Sequence, residues 1–265
     1  MSNTATVLAF DFGASSGRAI RAVYDGQNLT YEEIHRFENV PIEKDGHLCW
    51  DVETLLKEIH TAIQKAGTFD SLGFDTWGVD FGLLDTDGHL LANPVHYRDA
   101  RTNGKPEQAA ACMPAEELYA HTGNQIMAIN TLFQLLALRE QDPELLQKAE
   151  QILFMPDLFA ALLGAEPVCE RSIASTSQML DLRTGQWSRE VLAAYGLNEK
   201  HFAPIVASGT VTGTLANGAK IIAVAGHDTQ CASAAMPCAE EDAEHTAFLS
   251  CGTWSLLGTE LDTPI

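Results

Sequence analysis

Three consecutive β-strands are predicted by the segment TVLAFDFGASSGRAIRAVYDGQNLTYEEIHRF, residues 6–37. The apolar run at 6–11 predicts a buried strand, and a turn rich in Gly and Ser separates it from a second strand that begins at Gly17. Asp25-Gly26 is a typical hairpin turn, and the alternating pattern after it predicts the third strand. The fold therefore opens on a three-stranded meander.

Helices and strands alternate after the meander. Residues 51–67 carry apolar side chains at helical spacing behind a capping aspartate, so they predict a helix. Residues 71–91 predict a strand, a bend with glycines and a hairpin over an Asp-Gly pair. Residues 105–200 are mostly helical in pattern, and strand patterns return between 206 and 228. A strand, a glycine turn and another strand are expected at 246–261. This alternation predicts an α/β layered fold.

Composition excludes several classes of function. The 265 residues include 16 Lys and Arg against 36 Asp and Glu, for a formal net charge of −20. Nucleic-acid binding needs clustered basic side chains, so this balance argues against it and disfavours an anionic membrane surface as a partner. The sequence contains no signal peptide, no apolar run of membrane-spanning length and no cysteine pair at metal-binding spacing. We expect a cytoplasmic protein with reduced thiols.

The segment DFGASSGR, residues 11–18, offers donors for a phosphate group. Its small residues let backbone N–H groups converge on phosphate oxygens, and two serine hydroxyls and the Arg18 guanidinium add donors. Asp11, at the end of a strand, could hold a magnesium ion through water. The spacing is neither that of a P-loop nor G-x-G-x-x-G. A tight hairpin that needs glycine at positive φ explains the same residues equally well.

Two further segments suit a polyol. DTWGVDFG, residues 75–82, follows a buried strand and combines an aromatic ring with carboxylates, as sugar sites do. HYRDAR, residues 96–101, is dense in polar and aromatic groups. The simpler interpretations are a strand bend with Trp77 in the core and a solvated loop.

The segment GHDT, residues 226–229, is the sharpest catalytic candidate. It follows the apolar run IIAVA and therefore lies at the carboxyl end of a predicted buried strand, where ligands of α/β proteins gather. Asp228 could accept the proton of a sugar hydroxyl as that hydroxyl attacks phosphorus. Alternatively, Asp228 caps the helix that follows.

Taken together and in chain order, these segments resemble the FGGY family of carbohydrate kinases, which share the actin/hexokinase-like (ribonuclease H-like) fold. The same resemblance extends over nearly the whole chain. It is carried by DFGASSGR (11–18), EIHRFEN (33–39), GHLCWD (46–51), DTWGVDFGLLD (75–85), PVHYRDARTNG (94–104), TGNQ (122–125), NTLFQLLAL (130–138), GHDTQCA (226–232) and SCGTWSLLG (250–258).

The resemblance implies ATP, Mg²⁺ and a small sugar as partners, bound in a cleft between two domains. Residues 1–220 would form the N-terminal sugar-kinase domain, and 221–265 the incomplete beginning of the C-terminal nucleotide domain. Asp228 would be the proton acceptor, and Asp11 would lie near the magnesium ion. The implied ATP contacts are Ala14, Ser15, Ser16, Gly17, Arg18 and Thr253, and the implied sugar contacts are Gly82, His227, Asp228 and Thr229.

Members of the family are nearly twice as long, so we expect a truncated second domain and low or no kinase activity for residues 1–265 alone. Three interpretations stay open. The chain phosphorylates a ketose with ATP, or it is a sugar-binding remnant without ATP chemistry, or it is a fold fragment. In the third case strands at 221–228 and 246–260 would expose unpaired edges and would aggregate or pair with another chain.

Overall fold

The computed structural model describes residues 4–239, 242, 245–252 and 255–261. The described strands are β1 (Ala5–Phe12), β2 (Ser16–Tyr24), β3 (Leu29–Glu38), β4 (Ile42–Lys44), β5 (His47–Cys49), β6 (Ser71–Thr76), β7 (Phe81–Leu84), β8 (Gln151–Phe154), β9 (Cys169–Glu170), β10 (Ile205–Val206), β11 (Thr210–Thr214), β12 (Lys220–Ala223), β13 (Ala247–Cys251) and β14 (Ser255–Thr259). The described α-helices are α1 (Val52–Ala66), α2 (Lys105–Ala109), α3 (Ala115–Thr122), α4 (Thr131–Gln141), α5 (Pro143–Lys148), α6 (Met155–Leu162), α7 (Arg171–Ser175), α8 (Arg189–Ala194) and α9 (Asp228–Ala234).

A six-stranded mixed sheet forms the centre of the molecule, in the order β11-β12-β6-β1-β2-β3. The predicted meander is confirmed, because β1, β2 and β3 pair antiparallel in chain order. On the other side of β1, strands β6 and β12 run parallel to it, and β11 closes the edge antiparallel to β12. Strands β1, β6 and β12 therefore end in the same direction, and ligands of α/β proteins bind at such ends.

Helix α1 begins where the sequence predicts it. Asp51 occupies the cap position, and its carboxylate accepts a hydrogen bond of 3.1 Å from the Thr54 backbone N–H. Gly67 follows the last turn with φ of 67°, a conformation that residues with a Cβ disfavour. The helix packs on β2 and β3. Its buried side chains are Val52, Leu55, Ile59, Ala62 and Ala66.

Four phenylalanines fill the core between the sheet and α6. The rings of Phe10 and Phe74 stack at 4.9 Å between centroids, and those of Phe12 and Phe159 stack at 4.7 Å. Aromatic pairs of this kind stabilise by about 0.5–1.5 kcal/mol beyond the burial of their area. The ends of β1 and β6 therefore rest on a rigid layer.

The predicted hairpin over Asp87-Gly88 is confirmed, although it is short. An antiparallel bridge joins Leu84 to Leu90, the Asp85 N–H donates to the His89 carbonyl at 3.0 Å, and the Asp85 carboxylate holds the turn. Strand β7 also pairs with β8, a partner from a distant part of the chain that the local pattern did not indicate. Every residue of β7 is buried between its neighbours.

The chain between residues 105 and 200 is mostly helical, as predicted, although β8 and β9 interrupt it. Pro143 and Pro156 lie in the first turns of α5 and α6, where a missing N–H costs little. Strand β12 begins at Lys220, the predicted domain boundary, and belongs to the six-stranded sheet. The division of the chain at that residue stays a prediction.

Two observations bear on the class of protein. All six cysteines are free thiols. Among the helices of the described residues, none combines the length and apolar character needed to cross a membrane.

Candidate functional site

Three aspartates meet at the carboxyl ends of neighbouring parallel strands. Asp11 of β1 lies opposite Asp75 of β6 in the strand register. The Thr76 backbone N–H donates to the Gly226 carbonyl at 2.9 Å, which continues the pairing beyond β12 and brings Asp228 beside β6. We call Asp11, Asp75 and Asp228 the strand-end edge.

The charges of the strand-end edge act on one another. Burial raises the pKa of Asp75 to about 8, and the negative charges of Asp11 and Asp228 reinforce the shift. Arg18 opposes it and is bonded to Asp11, with guanidinium–carboxylate distances of 2.5 and 2.7 Å. The edge therefore has an excess of negative charge that a bound cation would relieve.

The turn between β1 and β2 is held by backbone contacts. The Gly13 N–H donates to the Ser16 carbonyl at 2.9 Å, and the Asn39 side-chain amide donates to the Gly13 carbonyl at 2.8 Å. Asn39 also donates its backbone N–H to the Ser15 carbonyl at 3.0 Å. The turn is thus a tight hairpin, but neither Gly13 nor Gly17 has a positive φ, so the expected need for glycine at positive φ is wrong. Phosphate binding by this turn stays a prediction.

A cavity of about 610 Å³ opens between this turn and the loop after β12. Most of its walls come from the ends of strands and from the loops that follow them. It is lined by Gly13, Ala14, Arg18, Trp77, Gly78, Val79, Tyr97, Asn124, Gln125, Met127, Ile129, Asn130, Ser175, Thr176, His227, Asp228, Thr229, Ser250, Gly252 and Leu256. A volume of this size is in the range of small-molecule sites.

The structure distributes the predicted phosphate contacts unevenly. Ala14 and Arg18 line the cavity, whereas Ser15 is exposed and Ser16 half-buried on the same turn. Gly17 is buried, and a Cβ there would lie 2.2 Å from the Phe37 ring, so close packing demands glycine. Thr253 lies outside the described residues, although its neighbour Gly252 lines the cavity.

His227, Asp228 and Thr229, three of the four predicted sugar contacts, line the cavity together. Asp228 is the first residue of α9, and His227 takes the cap position without a side-chain bond. The Asp228 side chain, 40% exposed, accepts from the Thr229 backbone N–H and lies 3.5 Å from His227 Nε2. Burial lowers the pKa of His227, although the charges of Asp228 and Glu170 oppose that shift. A partly exposed carboxylate is thus available to a ligand in the cavity.

Gly82, the fourth predicted sugar contact, is not brought to the cavity. It lies in the middle of β7, paired with Leu153 of β8. A Cβ at Gly82 would come within 2.6 Å of the Leu158 side chain and 3.1 Å of Leu90. The small size of Gly82 therefore allows β7 to pack closely against α6. The sugar contact at Gly82 stays a prediction.

One side of the cavity is apolar. It consists of Trp77, Val79, Tyr97, Met127 and Ile129, which we call the apolar wall. The Trp77 ring packs against that of Trp50 at 4.0 Å between centroids, with an angle of 33° between the ring planes, so a second aromatic ring supports the wall from behind. Sugar C–H faces pack on such rings, and amides and hydroxyls such as those of Asn124, Gln125 and Thr176 line the same cavity.

A buried carboxylate anchors the apolar wall. Asp80 is 1% exposed, and its Oδ2 accepts from the Trp50 and Trp77 indole N–H groups at 2.6 and 3.0 Å and from the Tyr97 backbone N–H at 3.1 Å. The Gln134 side-chain amide donates to the other oxygen at 2.9 Å. Burial nevertheless raises the pKa of Asp80 to about 6, since desolvation outweighs these bonds. Asp80 is therefore a structural partner of the wall rather than a ligand group.

Another buried carboxylate holds the loop that carries Asp228. Glu170 is 1% exposed, and its Oε2 accepts from the Gly226 N–H at 2.9 Å and from the Ser172 hydroxyl at 2.6 Å. That hydroxyl in turn accepts from the His227 N–H at 3.3 Å. The other oxygen accepts from the Ser208 hydroxyl at 2.6 Å. Two consecutive backbone groups before Asp228 are thus fixed by one side chain and its partner.

The strand-end edge suits a magnesium ion held through water. Carboxylate oxygens are ligands that Mg²⁺ prefers, and it commonly keeps several waters. Within the described part of the chain, three potential ligand atoms converge tightly only at Asp85, Asp87 and His89 of an exposed turn. Asp11 and Asp75 do not belong to such a set, and the contact of Asp11 with a magnesium ion through water stays a prediction.

Residues 6–234 match the N-terminal domain of the FGGY family of carbohydrate kinases. This chain belongs to the FGGY family. It is 41% identical to a rhamnulokinase of Bacteroides thetaiotaomicron over 97% of its own length and 55% of that protein. It is also 41% identical to a rhamnulokinase of Pectobacterium atrosepticum, over 97% of this chain and 53% of the relative. The chain spans about half the length of the curated relatives it matches.

Solved structures of the family share the fold. A carbohydrate kinase from Novosphingobium aromaticivorans superposes with a TM-score of 0.81 at 21% identity, covering 100% of this chain and 58% of that one. A ligand-bound xylulose kinase from Lactobacillus acidophilus gives 0.73 at 17% identity, covering 86% and 49%. The prediction of an α/β, actin/hexokinase-like kinase fold is confirmed.

Proposed function

We propose that this protein phosphorylates a ketose with ATP and that the ketose is L-rhamnulose, converted to L-rhamnulose 1-phosphate in the breakdown of L-rhamnose. One observation carries the proposal: the partly exposed Asp228 carboxylate lies in one cavity with the β1–β2 turn and the apolar wall. That arrangement supports a sugar between a base and a phosphate-binding loop. The proposal also rests on the rhamnulokinases to which the chain is similar.

In the proposed reaction Asp228 acts as the general base. The sugar hydroxyl oxygen forms a bond to the γ-phosphorus of ATP while the bond from that phosphorus to the ADP oxygen breaks. The hydroxyl proton passes to the Asp228 carboxylate, and ADP leaves. Phosphoryl transfer depends chiefly on positioning and charge neutralisation, and the base typically adds about 10²–10⁴ in rate.

The nucleotide would meet the turn from Ala14 to Arg18, and Thr253 of the predicted second domain would also contact its phosphates. Backbone N–H groups of such turns bind phosphate oxygens, and the Arg18 guanidinium can add charge-assisted bonds. Asp11, beside Asp75, would hold Mg²⁺ through water. When bound, the ion neutralises developing phosphate charge. The cytoplasmic location and the domain division at residue 220 belong to the same proposal.

The choice of L-rhamnulose over other ketoses rests on two segments. DTWGVDFGLLD (75–85) and PVHYRDARTNG (94–104) form the supports of the apolar wall and resemble rhamnulokinases more than other sugar kinases. Xylulose kinases share the fold, and fuculokinases are the other alternative within the family. Few hydroxyl contacts separate such substrates.

Calorimetry on the purified chain tests the proposal. We expect L-rhamnulose and Mg-ATP each to bind at one site. Because low or no kinase activity is expected for residues 1–265 alone, the coupled assay with a panel of ketoses is run on a form that carries a complete second domain, and it should rank L-rhamnulose above L-fuculose and D-xylulose. Binding of the sugar without ATP would favour a sugar-binding remnant instead. Absence of sugar binding would contradict the proposal.

A further inference from the structure

Val79 has an unusual backbone conformation in the wall of the cavity. Its φ is 70°, the left-handed region, which is a genuine outlier for a β-branched residue. Residues held in such conformations persist where the surrounding structure over-determines them, and they concentrate at ligand sites. Val79 is 7% exposed and lines the cavity.

Three side chains hold Val79 in this conformation. Its backbone N–H donates to the Thr176 hydroxyl at 3.0 Å. Its carbonyl accepts from the Thr131 hydroxyl at 2.6 Å and from the Gln134 amide at 3.3 Å. These contacts come from elements far along the chain, so the position of Val79 is fixed by the tertiary structure.

The same Gln134 amide also connects Val79 to the part of the apolar wall that contains Ile129. Its nitrogen also donates to the Ile129 carbonyl at 2.9 Å, so the backbones at 79 and 129 share one donor. The neighbouring Asn130 side chain accepts from the Met127 backbone N–H at 2.7 Å and donates to the Thr176 carbonyl at 3.1 Å. The Gln134 and Asn130 side chains are therefore bonded to backbone groups, and Val79, Met127 and Ile129 contribute apolar side chains to a cavity that amides and hydroxyls also line.

We propose that Val79, with Ile129 and Met127, forms the subsite that receives the terminal methyl group of a 6-deoxyketose. This inference rests on the proposed sugar-kinase function and assigns the residues that read one carbon of the substrate. A methyl group gains by contact with apolar side chains, whereas a hydroxyl at the same place loses its water without a replacement bond. The fixed backbone prevents the wall from moving to admit that hydroxyl.

L-Rhamnulose and L-fructose are a matched pair of probes because they differ only at C6, a methyl against a hydroxymethyl group. We expect calorimetry to show that the wild-type protein binds L-rhamnulose with a dissociation constant about tenfold or more below its dissociation constant for L-fructose. Val79→Thr keeps the branched shape and adds a hydroxyl, so the ratio should fall to about twofold. Val211→Thr, at an exposed valine of β11, is the control and should leave the ratio unchanged.

The outcomes separate the subsite from the function. Equal affinity of the wild type for the two sugars would overturn the subsite but would leave the proposed ketose kinase function in place. The same conclusion would follow if Val79→Thr gave the same ratio of the two dissociation constants as the wild type. If Val79→Thr does not fold, Ile129→Thr and the wild-type ratio provide the same test. Failure of the wild type to bind either sugar would overturn the subsite and the proposed function together.

Discussion

Asp228 of the strand-end edge and the side chains of the apolar wall line one cavity, but the two regions are built in opposite ways. Asp228 of the edge leaves 40% of its side chain exposed, whereas Asp80 behind the wall is 1% exposed and bonded on both oxygens. The edge thus presents a charged group to a ligand, and the wall presents an apolar surface of fixed shape. In the proposed function, the edge performs the chemistry and the wall selects the sugar.

Both regions are nevertheless fixed by buried carboxylates. Glu170 holds the backbone at Gly226 and, through Ser172, at His227, and Asp80 holds the indoles of Trp50 and Trp77. Substitutions at the edge should therefore change transfer, and those at the supporting carboxylates should change stability as well.

The largest effect is expected at Asp228. Asp228→Asn removes the proton acceptor but keeps an oxygen that can bond to a hydroxyl. In a form that carries a complete second domain, the rate of ketose phosphate formation should therefore fall by about 10²–10⁴. Mass spectrometry of the phosphorylated sugar measures this rate. Asp87→Asn, on an exposed turn, is the matched control. A rate equal to that of the wild type would remove Asp228 as the base.

A smaller effect is expected at Glu170. Glu170→Gln keeps the size of the side chain but loses the charge that strengthens its bonds, so the free energy of unfolding should fall by about 2 kcal/mol. Because the loop before Asp228 then loosens, transfer should also fall by about tenfold. Urea unfolding and the same product assay measure the two effects.

Glu166→Gln is the control for Glu170, since Glu166 is exposed a few residues away. It should change the free energy of unfolding by less than about 0.5 kcal/mol. If Glu170→Gln behaved like this control, Glu170 would not position the loop.

The smallest effect is a pH dependence at Asp80. Its pKa of about 6 in the folded protein exceeds the ordinary value of 3.8, so the folded state binds the proton more tightly. The associated stability is present below pH 3.8 and is lost as the pH rises through about 6. Relative to Asp80→Asn, the wild type should lose about 1.4 kcal/mol of unfolding free energy between pH 5 and pH 8.

Urea unfolding of both proteins at several pH values measures this difference, and the other titrating groups cancel in the comparison. A difference independent of pH would mean that Asp80 is not held with a raised pKa. The support of the apolar wall would then need another explanation.

Sequence patterns predicted the elements that depend on interactions between residues close together in the chain. The meander and helix α1 follow from alternation, turn residues and a cap, and each of these acts within a few residues. The strand-end edge could be anticipated only in part, because Asp11 and Asp228 end apolar runs, while their meeting depends on the parallel register through β6.

The roles of Glu170 and Gly82 could not be predicted in the same way. Glu170 contacts Gly226 across 56 positions of the chain, and no local pattern marks such a pair. Gly82 is fixed by the pairing of β7 with β8, which the nearby turn gave no reason to expect. Asp75 carried a signal, a carboxylate at a strand end, but its raised pKa requires the neighbours that the fold supplies.

The proposed roles of the strand-end edge in transfer and of the apolar wall in sugar binding are tested most directly by calorimetry. L-Rhamnulose is titrated into the wild type and into Asp228→Asn under the same conditions. We expect both proteins to bind one sugar with dissociation constants within about threefold of each other, since Asn retains a hydrogen-bonding oxygen. No binding by the wild type, or loss of binding by more than about tenfold in Asp228→Asn, would contradict the account.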